Sequence, residues 1–295
     1  MQQEFIDTSK YQISLHSIDS RFSDLKNNVN SEFRVQNPIP LKNIIRIRLA
    51  SVEIPLVEPM FSVIKGNVTF RVKVGASVTY INSTELVTGN YTAASLIAAL
   101  QIQLRNIHSG FTITLSNISG LVTITNISLQ FTFDFASPSD TIASRGTHWG
   151  LGYYLGFRDS VVVSVYSAAA GGYSVTATSV INVQANPYYL VQMRCPDEVV
   201  NLTHRISGGT FVSAFAKIVL TDNYYQLQFD DNSNLMRKEY TFLSPVNIPF
   251  FQISLRDPWG DMVNMMDADW SYTMEVTEIK NSKMYTNLLT TYQKS

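Results

Sequence analysis

The stretch WGLGYYLGFR, at residues 149–158, combines glycines, aromatic rings and an arginine, which together could cradle the phosphate of a nucleotide. Its glycines, Gly150, Gly152 and Gly156, form the pattern G-x-G-x-x-x-G, which is longer by one residue than the dinucleotide-binding fingerprint. No helical pattern follows that would offer free backbone N–H groups to a phosphate. We therefore expect these glycines to let the backbone pass closely under aromatic rings in a β-protein, rather than to bind a nucleotide.

A second candidate chemistry is nucleophilic catalysis by Cys195, the single cysteine of the chain, with His204 as its base. No recognisable motif supplies a third group to orient the histidine, so an inert buried thiol is the preferred interpretation. The histidines of the chain all lack a second ligand at the spacing of a metal site: His16, His108, His148 and His204.

A group of aspartates near the C-terminal end suggests a calcium site: Asp257, Asp261, Asp267 and Asp269. The stretch DPWGDMVNMMDADW, however, lacks the residue order and the closing glutamate of the known calcium-binding loop. A turn rich in Asp and Gly between two strands explains it better. The sequence therefore predicts no catalytic, cofactor-binding or metal-binding residues, no cofactor and no enzymatic activity.

The composition is poor in charge. Only 15% of the residues are charged, against about a quarter in ordinary soluble proteins. Because solubility normally depends on surface charge, we expect partner proteins to cover part of this surface. The formal net charge is -1, and Lys and Arg do not form the cluster that a nucleic-acid-binding surface needs, so no nucleic-acid partner is expected. Arg46 and Arg48 stand at alternate positions of an apolar run, which predicts that both lie on one face of a strand.

Three features bear on the location of the protein. A single cysteine cannot form a disulfide within the chain, so the disulfide frameworks of small secreted proteins do not apply. The first residues, MQQEFIDTSKYQ, lack the basic and apolar regions of a signal peptide. No apolar run reaches the roughly 20 residues that a membrane-spanning helix needs. We expect no transmembrane segment, and synthesis and assembly in the cytosol.

The dominant pattern is alternation of apolar and polar residues with period two, which is typical of half-buried antiparallel strands. The longest example is FTITLSNISGLVTITNISLQFTFDF, at residues 111–135, with polar turn residues at 117–120 and 125–128. The same pattern predicts strands at 68–75, 160–167, 211–220, 250–257 and 270–279.

One helix interrupts these strands, at about residues 92–109. Thr92 can cap its N-terminus by accepting a hydrogen bond from a free backbone N–H group, and Gly110 can end it in a left-handed conformation. Its apolar residues recur at three- and four-residue spacing on one face: Leu96, Leu100, Leu104 and Ile107. Because further helices do not recur, the pattern favours an insertion packed on a sheet over a βαβ unit.

Several motifs occur in an order that is typical of one viral protein family. They are a Y-x-I-x-L-x-S-x-D-S-R stretch at Tyr11–Arg21, a strand ending in S-V-E-I-P at Ser51–Pro55, a G-N-Y-T turn at Gly89–Thr92, an L-G-F element at Leu155–Phe157, an I-x-L-R-D-x-x-G strand at Ile253–Gly260 and a final strand beginning near Trp270. Together with the segment Ser31–Pro55, these motifs resemble the jelly-roll penton and minor capsid proteins of the nucleocytoplasmic large DNA viruses.

The resemblance implies an all-β fold: a single jelly roll, which is a two-sheet antiparallel β-sandwich in Greek-key order, with one inserted α-helix and extended terminal arms. Residues 1–30 would then form an N-terminal arm, residues 31–280 the jelly-roll domain and residues 281–295 a C-terminal arm. The alternating strands agree with this fold, because they must form two layers to bury their apolar faces.

By the same resemblance, we expect a structural capsid protein of an icosahedral large DNA virus. The first expectation is the penton protein at the fivefold vertex, a homopentamer that contacts neighbouring major or minor capsid proteins. It would reside in the virion after assembly in the host cytoplasm. The near alternative is a minor capsid protein that cements capsomers.

A more distant alternative is a jelly-roll carbohydrate-binding or attachment module. In that case Trp149, Tyr153 and Tyr154 would be exposed and stack on sugar faces. Buried aromatic side chains in a β-protein are the simpler interpretation of these residues.

Overall fold

The computed structural model describes residues 8–20, 32–135, 150–184, 186–195, 198–200, 203–207, 210–231 and 238–281. Its helices are α1 (Ser17–Ser20), α2 (Ala93–Ile107) and α3 (Leu151–Tyr154). The strands before α2 are β1 (Thr8–His16), β2 (Glu32–Pro55), β3 (Arg71–Val74) and β4 (Ile81–Asn82). Between α2 and residue 185 follow β5 (Phe111–Leu115), β6 (Val122–Asn126), β7 (Phe131–Asp134), β8 (Val161–Val163), β9 (Val165–Ser167) and β10 (Gly172–Thr176). The remaining strands are β11 (Tyr188–Cys195), β12 (Glu198–Val200), β13 (Thr203–Ser207), β14 (Thr210–Ala214), β15 (Ala216–Val219), β16 (Leu227–Asp230), β17 (Glu239–Arg256) and β18 (Ser271–Ile279).

The chain forms two compact units, and the all-β prediction with antiparallel sheets is confirmed. Unit 1 consists of the described parts of Met1–Glu58 and Asn186–Ser295, and unit 2 consists of those of Pro59–Ala185. Unit 2 is therefore inserted, along the sequence, between the two parts of unit 1. The predicted range 31–280 covers residues of both units.

Unit 1 is built on one eight-stranded sheet. Its strands follow the order β1-β18-β2-β17-β11-β12, with β15 paired to β11 and β16 paired to β2, and β13 and β14 form a separate hairpin. The first strand pairs with the last along its full length, from Thr8 opposite Ile279 to His16 opposite Ser271. Of the predicted N-terminal arm, residues 8–20 thus form β1 and α1, and the predicted C-terminal arm lies almost wholly outside the described residues.

Strand β2 changes the face that it turns to the core twice along its length. Its register with β18 shifts at two points, and Ile45 and Ala50 are the extra residues of these bulges. An extra residue reverses the alternation of side chains. The buried positions follow the change in phase: Ile44, then Ile47 and Leu49, then Val52 and Ile54. Arg46 and Arg48 lie between the bulges, on the same non-core face of the strand, as predicted.

Large aromatic side chains fill the core of unit 1. The ring of Phe33 on β2 meets that of Trp270 edge-on, with 4.9 Å between their centroids, and Tyr272 on β18 lies beside both. All three are almost completely buried. The edge-on arrangement adds electrostatic attraction between the rings to the burial of apolar area.

Unit 2 contains two four-stranded sheets, in the orders β4-β3-β7-β8 and β5-β6-β10-β9. Phenylalanine rings pack in series along its core, with centroids 5.1–5.4 Å apart from Phe111 through Phe131 and Phe133 to Phe135. The chain passes from the first sheet to the second at Ser164, between β8 and β9. The buried hydroxyl of Ser164 donates to the carbonyl of Phe131 (2.9 Å) and accepts from its N–H group (2.8 Å).

Helix α2 confirms the predicted helix and its N-terminal cap. The hydroxyl of Thr92 accepts a hydrogen bond from the N–H group of Ser95 at 3.1 Å, and the hydroxyl of Ser95 accepts from the N–H group of Thr92 at 2.9 Å. The predicted stripe is buried at Leu96, Leu100 and Leu104. The prediction for the C-terminal end was wrong: the helix ends at an extended His108, whose N–H group reaches the carbonyl of Leu104, so a left-handed glycine is not needed.

Candidate protein interaction surface

The segment that follows Trp149 is a structural element of unit 2. It forms the single turn α3, in which Leu151 and Tyr154 are buried. Arg158 lies over the ring of Tyr153, with 4.4 Å from its guanidinium carbon to the ring centroid, and donates to the carbonyl of Tyr153 at 3.0 Å. The arginine is therefore used to cover an aromatic ring of its own segment.

The glycines of this segment are required by close packing. A Cβ atom on Gly152 would lie 2.5 Å from Cγ of Phe135, and one on Gly156 would lie 1.9 Å from the carbonyl oxygen of Ser179. Gly156 also has φ +93°, a conformation that side chains disfavour. The prediction that glycine lets the backbone pass beneath a ring is confirmed at Gly152.

The aspartate group forms a turn, as predicted. Asp257 is buried, and its Oδ1 accepts hydrogen bonds from the N–H groups of Trp259 (2.8 Å) and Asp261 (3.0 Å). The hydroxyl of Ser17 donates to Asp269 at 3.0 Å. A carboxylate that accepts neighbouring backbone N–H groups is typical of an Asx turn. Within the described ranges, His, Cys, Asp and Glu do not assemble in groups of three that could hold a metal ion.

Among the histidines and the single cysteine, the structure describes the side chains of His16 and His108. His108 follows α2, where its Nδ1 accepts from the N–H group of Gly110 and lies 3.1 Å from Asn126 Nδ2. His16 is exposed at the end of β1. His148 lies outside the described residues, and the side chains of Cys195 and His204, on β11 and β13, are not among those described.

The aromatic residues named for the carbohydrate-binding alternative do not form an exposed set. Tyr154 is buried, with 4% of its surface exposed, and Tyr153 is half-buried beneath Arg158. Trp149 lies outside the described residues. A sugar ring stacks on an open aromatic face, and Tyr154 does not offer one.

The most distinctive surface of unit 2 is the segment Val161–Ser167, called here the edge segment. It consists of β8 and β9, and each is the last strand of its sheet. Ser160 and Ser164 direct their backbone groups towards the chain of β7: the carbonyl of Ser160 accepts from the N–H group of Phe135, and the N–H group of Ser164 donates to the carbonyl of Phe131. Since neighbouring residues of a strand point their backbone groups in opposite directions, Val161 and Val163 present theirs to the open side of the sheet.

The edge segment also exposes apolar side chains. Val163 is 51% exposed, Val165 is 70% exposed and Tyr166 is 65% exposed. Val161 and Val163 pair across the sheet with Asp134 and Thr132, so they share the outer face of the sheet. Exposed β-branched residues on an unpaired edge are a template for pairing with another chain. The alternation of SVVVSVYS predicted one strand at 160–167, whereas the structure has two short strands in different sheets. The alternation also did not indicate that the valines face outwards.

Two buried polar clusters belong to the interior of unit 1. The Lys238 ammonium lies 2.6 Å from both carboxylate oxygens of Asp230, and both side chains are buried. The Glu58 carboxylate accepts from the Tyr189 hydroxyl (3.2 Å) and from Asn186 (2.9 Å). Burial, followed by the charge of Glu58, raises the pKa of Tyr189 well above its ordinary value. These groups stabilise the unit and do not line a surface.

In the part of the chain that the structure describes, no helix is both long and apolar enough to cross a membrane.

Comparison with known proteins finds matches among solved structures but not among sequences. No protein family and no curated protein matches the sequence. Among solved structures, the chain is similar to a mavirus penton protein, determined as a selenomethionine crystal structure, with a TM-score of 0.49 and 7% sequence identity. The likeness covers 92% of this chain and 99% of that one.

Proposed function

We propose that this protein is a structural subunit of an icosahedral virus capsid, and that it is the penton, acting as a homopentamer at the fivefold vertex. The observation that carries the proposal is the edge segment, which combines unpaired backbone groups with exposed Val163, Val165 and Tyr166. The motif order that resembles the jelly-roll capsid proteins of large DNA viruses supports it. The role needs no chemistry, so the proposal includes no catalytic activity.

The edge segment suits repeated contact between subunits. A strand that exposes its backbone groups binds another strand or loop through main-chain hydrogen bonds, while its side chains fill pockets on the partner. A ring of five copies needs a heterologous interface, in which this segment of one copy meets a different surface of the next. Aromatic and aliphatic anchors such as Tyr166 and Val165 supply affinity in such contacts.

The same proposal covers the partners and the location of the protein. Within this proposal β1, in the predicted N-terminal arm, completes the sheet of unit 1, and residues 281–295 act as an arm that adds contacts to neighbouring capsid proteins. The protein then resides in the virion, with assembly in the host cytoplasm.

The first test is the mass of the purified full chain in solution, measured by light scattering after size exclusion. A homopentamer of this 33.1 kDa chain has a mass of about 166 kDa. Two results together would contradict the penton proposal. The chain would be a stable monomer over the micromolar range, and a reconstructed particle would show no density for it at the vertices. A monomer bound between capsomers would instead support the minor capsid protein.

The second test concerns the edge segment itself. Val163→Lys places a charge on the edge strand, which opposes pairing with another chain, and we expect the pentamer to dissociate. Val87→Lys is the matched control, because Val87 is equally a valine of unit 2, is 79% exposed and lies outside the edge segment. A pentamer that tolerates both variants would show that the ring uses another surface.

A further inference from the structure

A polar recess lies on the non-core face of the unit 1 sheet, across β2, β17 and β11. Its lining residues come from these three strands: Glu32, Gln192, Arg194, Gln252, Ser254 and Arg256. The register places Ser254 between Glu32 and Gln192, and Gln252 beside Arg194, so they occupy adjacent rows of one face. Ile253 and Leu255, which alternate along β17 with the residues that line the recess, are buried in the core on the opposite face of the sheet.

The floor of the recess is held in place by hydrogen bonds. Gln252 Nε2 donates to Glu32 Oε1 at 2.8 Å, and Gln192 Nε2 donates to the carbonyl of Ser213 at 2.8 Å. Arg256 Nε donates to Gln192 Oε1, and its Nη1 donates to the carbonyl of Gly260 at 2.7 Å. The Arg256 guanidinium is therefore fixed before any ligand arrives, which lowers the entropic cost of binding.

The recess has cationic groups in excess. The side chain of Arg194 is exposed, and it makes neither a hydrogen bond nor an ion pair with the described residues. Arg256 has bonds at Nε and Nη1, which leaves its Nη2 for a ligand. Glu32 is the one acidic residue of the lining, and one of its oxygens is bound to Gln252.

The arginine groups, the small volume and the net charge of the recess favour a single carboxylate group as its ligand. Arginine presents N–H groups in a planar fork that matches the two oxygens of a carboxylate. The cavity volume of the recess is about 10 Å³, far below the range of about 300–1,000 Å³ that is common for sites of whole small molecules, so the recess has room for one small group only. Two arginines and one glutamate leave the lining with a net charge of +1, which a singly charged carboxylate balances.

We propose that this recess receives an acidic side chain, Asp or Glu, from a partner protein, and that Arg194 and Arg256 hold its carboxylate. Gln192, Gln252 and Ser254 provide hydrogen-bonding groups beside the carboxylate, where the backbone of the acidic segment passes. The inference is independent of the capsid role, because it requires only an acidic partner, and binding to the recess is measured without reference to the oligomeric state.

The test uses the full chain and a fluorescein-labelled hexaglutamate peptide, with binding followed by fluorescence anisotropy at low salt. Arg194→Gln should weaken binding at least about tenfold, because a charge-assisted hydrogen bond is lost. Arg105→Gln is the matched control, because Arg105 is exposed on α2 and its substitution removes the same positive charge outside the recess. Equal effects of the two variants would overturn the proposal.

Two further variants separate a carboxylate site from general attraction to positive charge. Arg194→Lys keeps the charge but loses the planar fork, so it should still weaken binding severalfold. Glu32→Gln removes the acidic group of the recess and should tighten binding severalfold, whereas Glu85→Gln, at an exposed position of unit 2, should leave it unchanged. Unchanged affinity in Arg194→Lys and Glu32→Gln, or displacement of the peptide by inorganic phosphate more readily than by acetate at equal ionic strength, would overturn the proposal.

Discussion

The two units differ in how many charged groups they bury and in how much apolar surface they expose. Among the described residues, unit 1 buries the Lys238–Asp230 pair, Glu58 and Asp257, whereas unit 2 buries one charged residue, Asp134. Unit 2 has short strands around a phenylalanine core, and most of the exposed large apolar side chains among the described residues belong to it. Buried charged groups are therefore concentrated in unit 1, and exposed large apolar side chains in unit 2.

The buried ion pair of unit 1 should give the greatest loss of stability when it is broken. Asp230→Leu leaves the Lys238 ammonium buried without its carboxylate, and we expect a loss of about 3–5 kcal/mol in the free energy of unfolding. Denaturant titration of the full chain, followed by tryptophan fluorescence and circular dichroism, measures it. Because the chain has two units, the transitions are fitted separately where they resolve.

The control for this prediction is the double variant Asp230→Leu with Lys238→Met. Removing both charges together should recover most of the lost stability, since the Lys238 ammonium no longer lies buried without a carboxylate. A loss below about 1 kcal/mol in the single variant would mean that the pair behaves like an exposed surface pair, and the contrast between the units would fail.

The next effect tests close packing in unit 2. Gly156→Ala combines a left-handed backbone with a Cβ atom 1.9 Å from the carbonyl oxygen of Ser179, and we expect a loss of about 3 kcal/mol, from backbone strain and overpacking together. Gly171→Ala is the matched control, because Gly171 has φ +65° but open space around its Cα atom. It should cost only about 1 kcal/mol. Thermal unfolding monitored by circular dichroism compares them, and equal losses would refute the role of packing.

A smaller effect concerns the helix of unit 2. Thr92→Ala removes the side chain that accepts from the N–H group of Ser95, so the unfolding free energy should fall by about 1 kcal/mol. Thr92→Ser keeps the hydroxyl and should retain most of the stability. Hydrogen exchange of the first-turn amides of α2 locates the change, and full protection in Thr92→Ala would show that the cap is dispensable.

The smallest effect concerns Tyr189 of unit 1: it is absent at neutral pH and affects the stability of the protein only at alkaline pH. The folded state raises the pKa of Tyr189 well above its ordinary value, mainly because the side chain is buried. The unfolded chain therefore releases the proton first, so this contribution to stability is complete below about pH 10 and is lost as the pH rises further.

Denaturation midpoints between neutral and strongly alkaline pH test this prediction. Tyr189→Phe removes the titrating group, and its stability should fall less steeply with pH than that of the unaltered protein. Tyr225→Phe, which removes an exposed hydroxyl from the same unit, serves as the control. The same steep fall in all three proteins would show that Tyr189 does not cause it.

Local patterns predicted the elements that local physics determines. The period-two pattern predicted the strands around residues 111–135 and 270–279, because half-buried strands need apolar residues at every second position. The helix and its Thr92 cap were also predicted, since capping involves residues close in sequence. The turn at Asp257 was predicted for the same reason, as its carboxylate binds N–H groups within the following four residues.

Long-range features could not be derived in the same way. The recess joins Gln192 to Arg256, which lie on different strands, and Glu32 to Gln252, from opposite ends of the chain. Their contact depends on the strand order β2-β17-β11, which alternation does not specify. The outward orientation of Val161 and Val163 likewise depends on the pairing with β7, because a strand pattern has two faces and does not state which one meets the core.

Periodicity and contacts within a few residues were enough to predict the all-β class, the long helix and the turn at Asp257. Which strands are neighbours, how the chain divides into two units and where buried charges find partners depend on the folded arrangement. Those outcomes depend on the burial of side chains far apart in sequence, and a one-dimensional pattern contains no measure of which distant faces fit together.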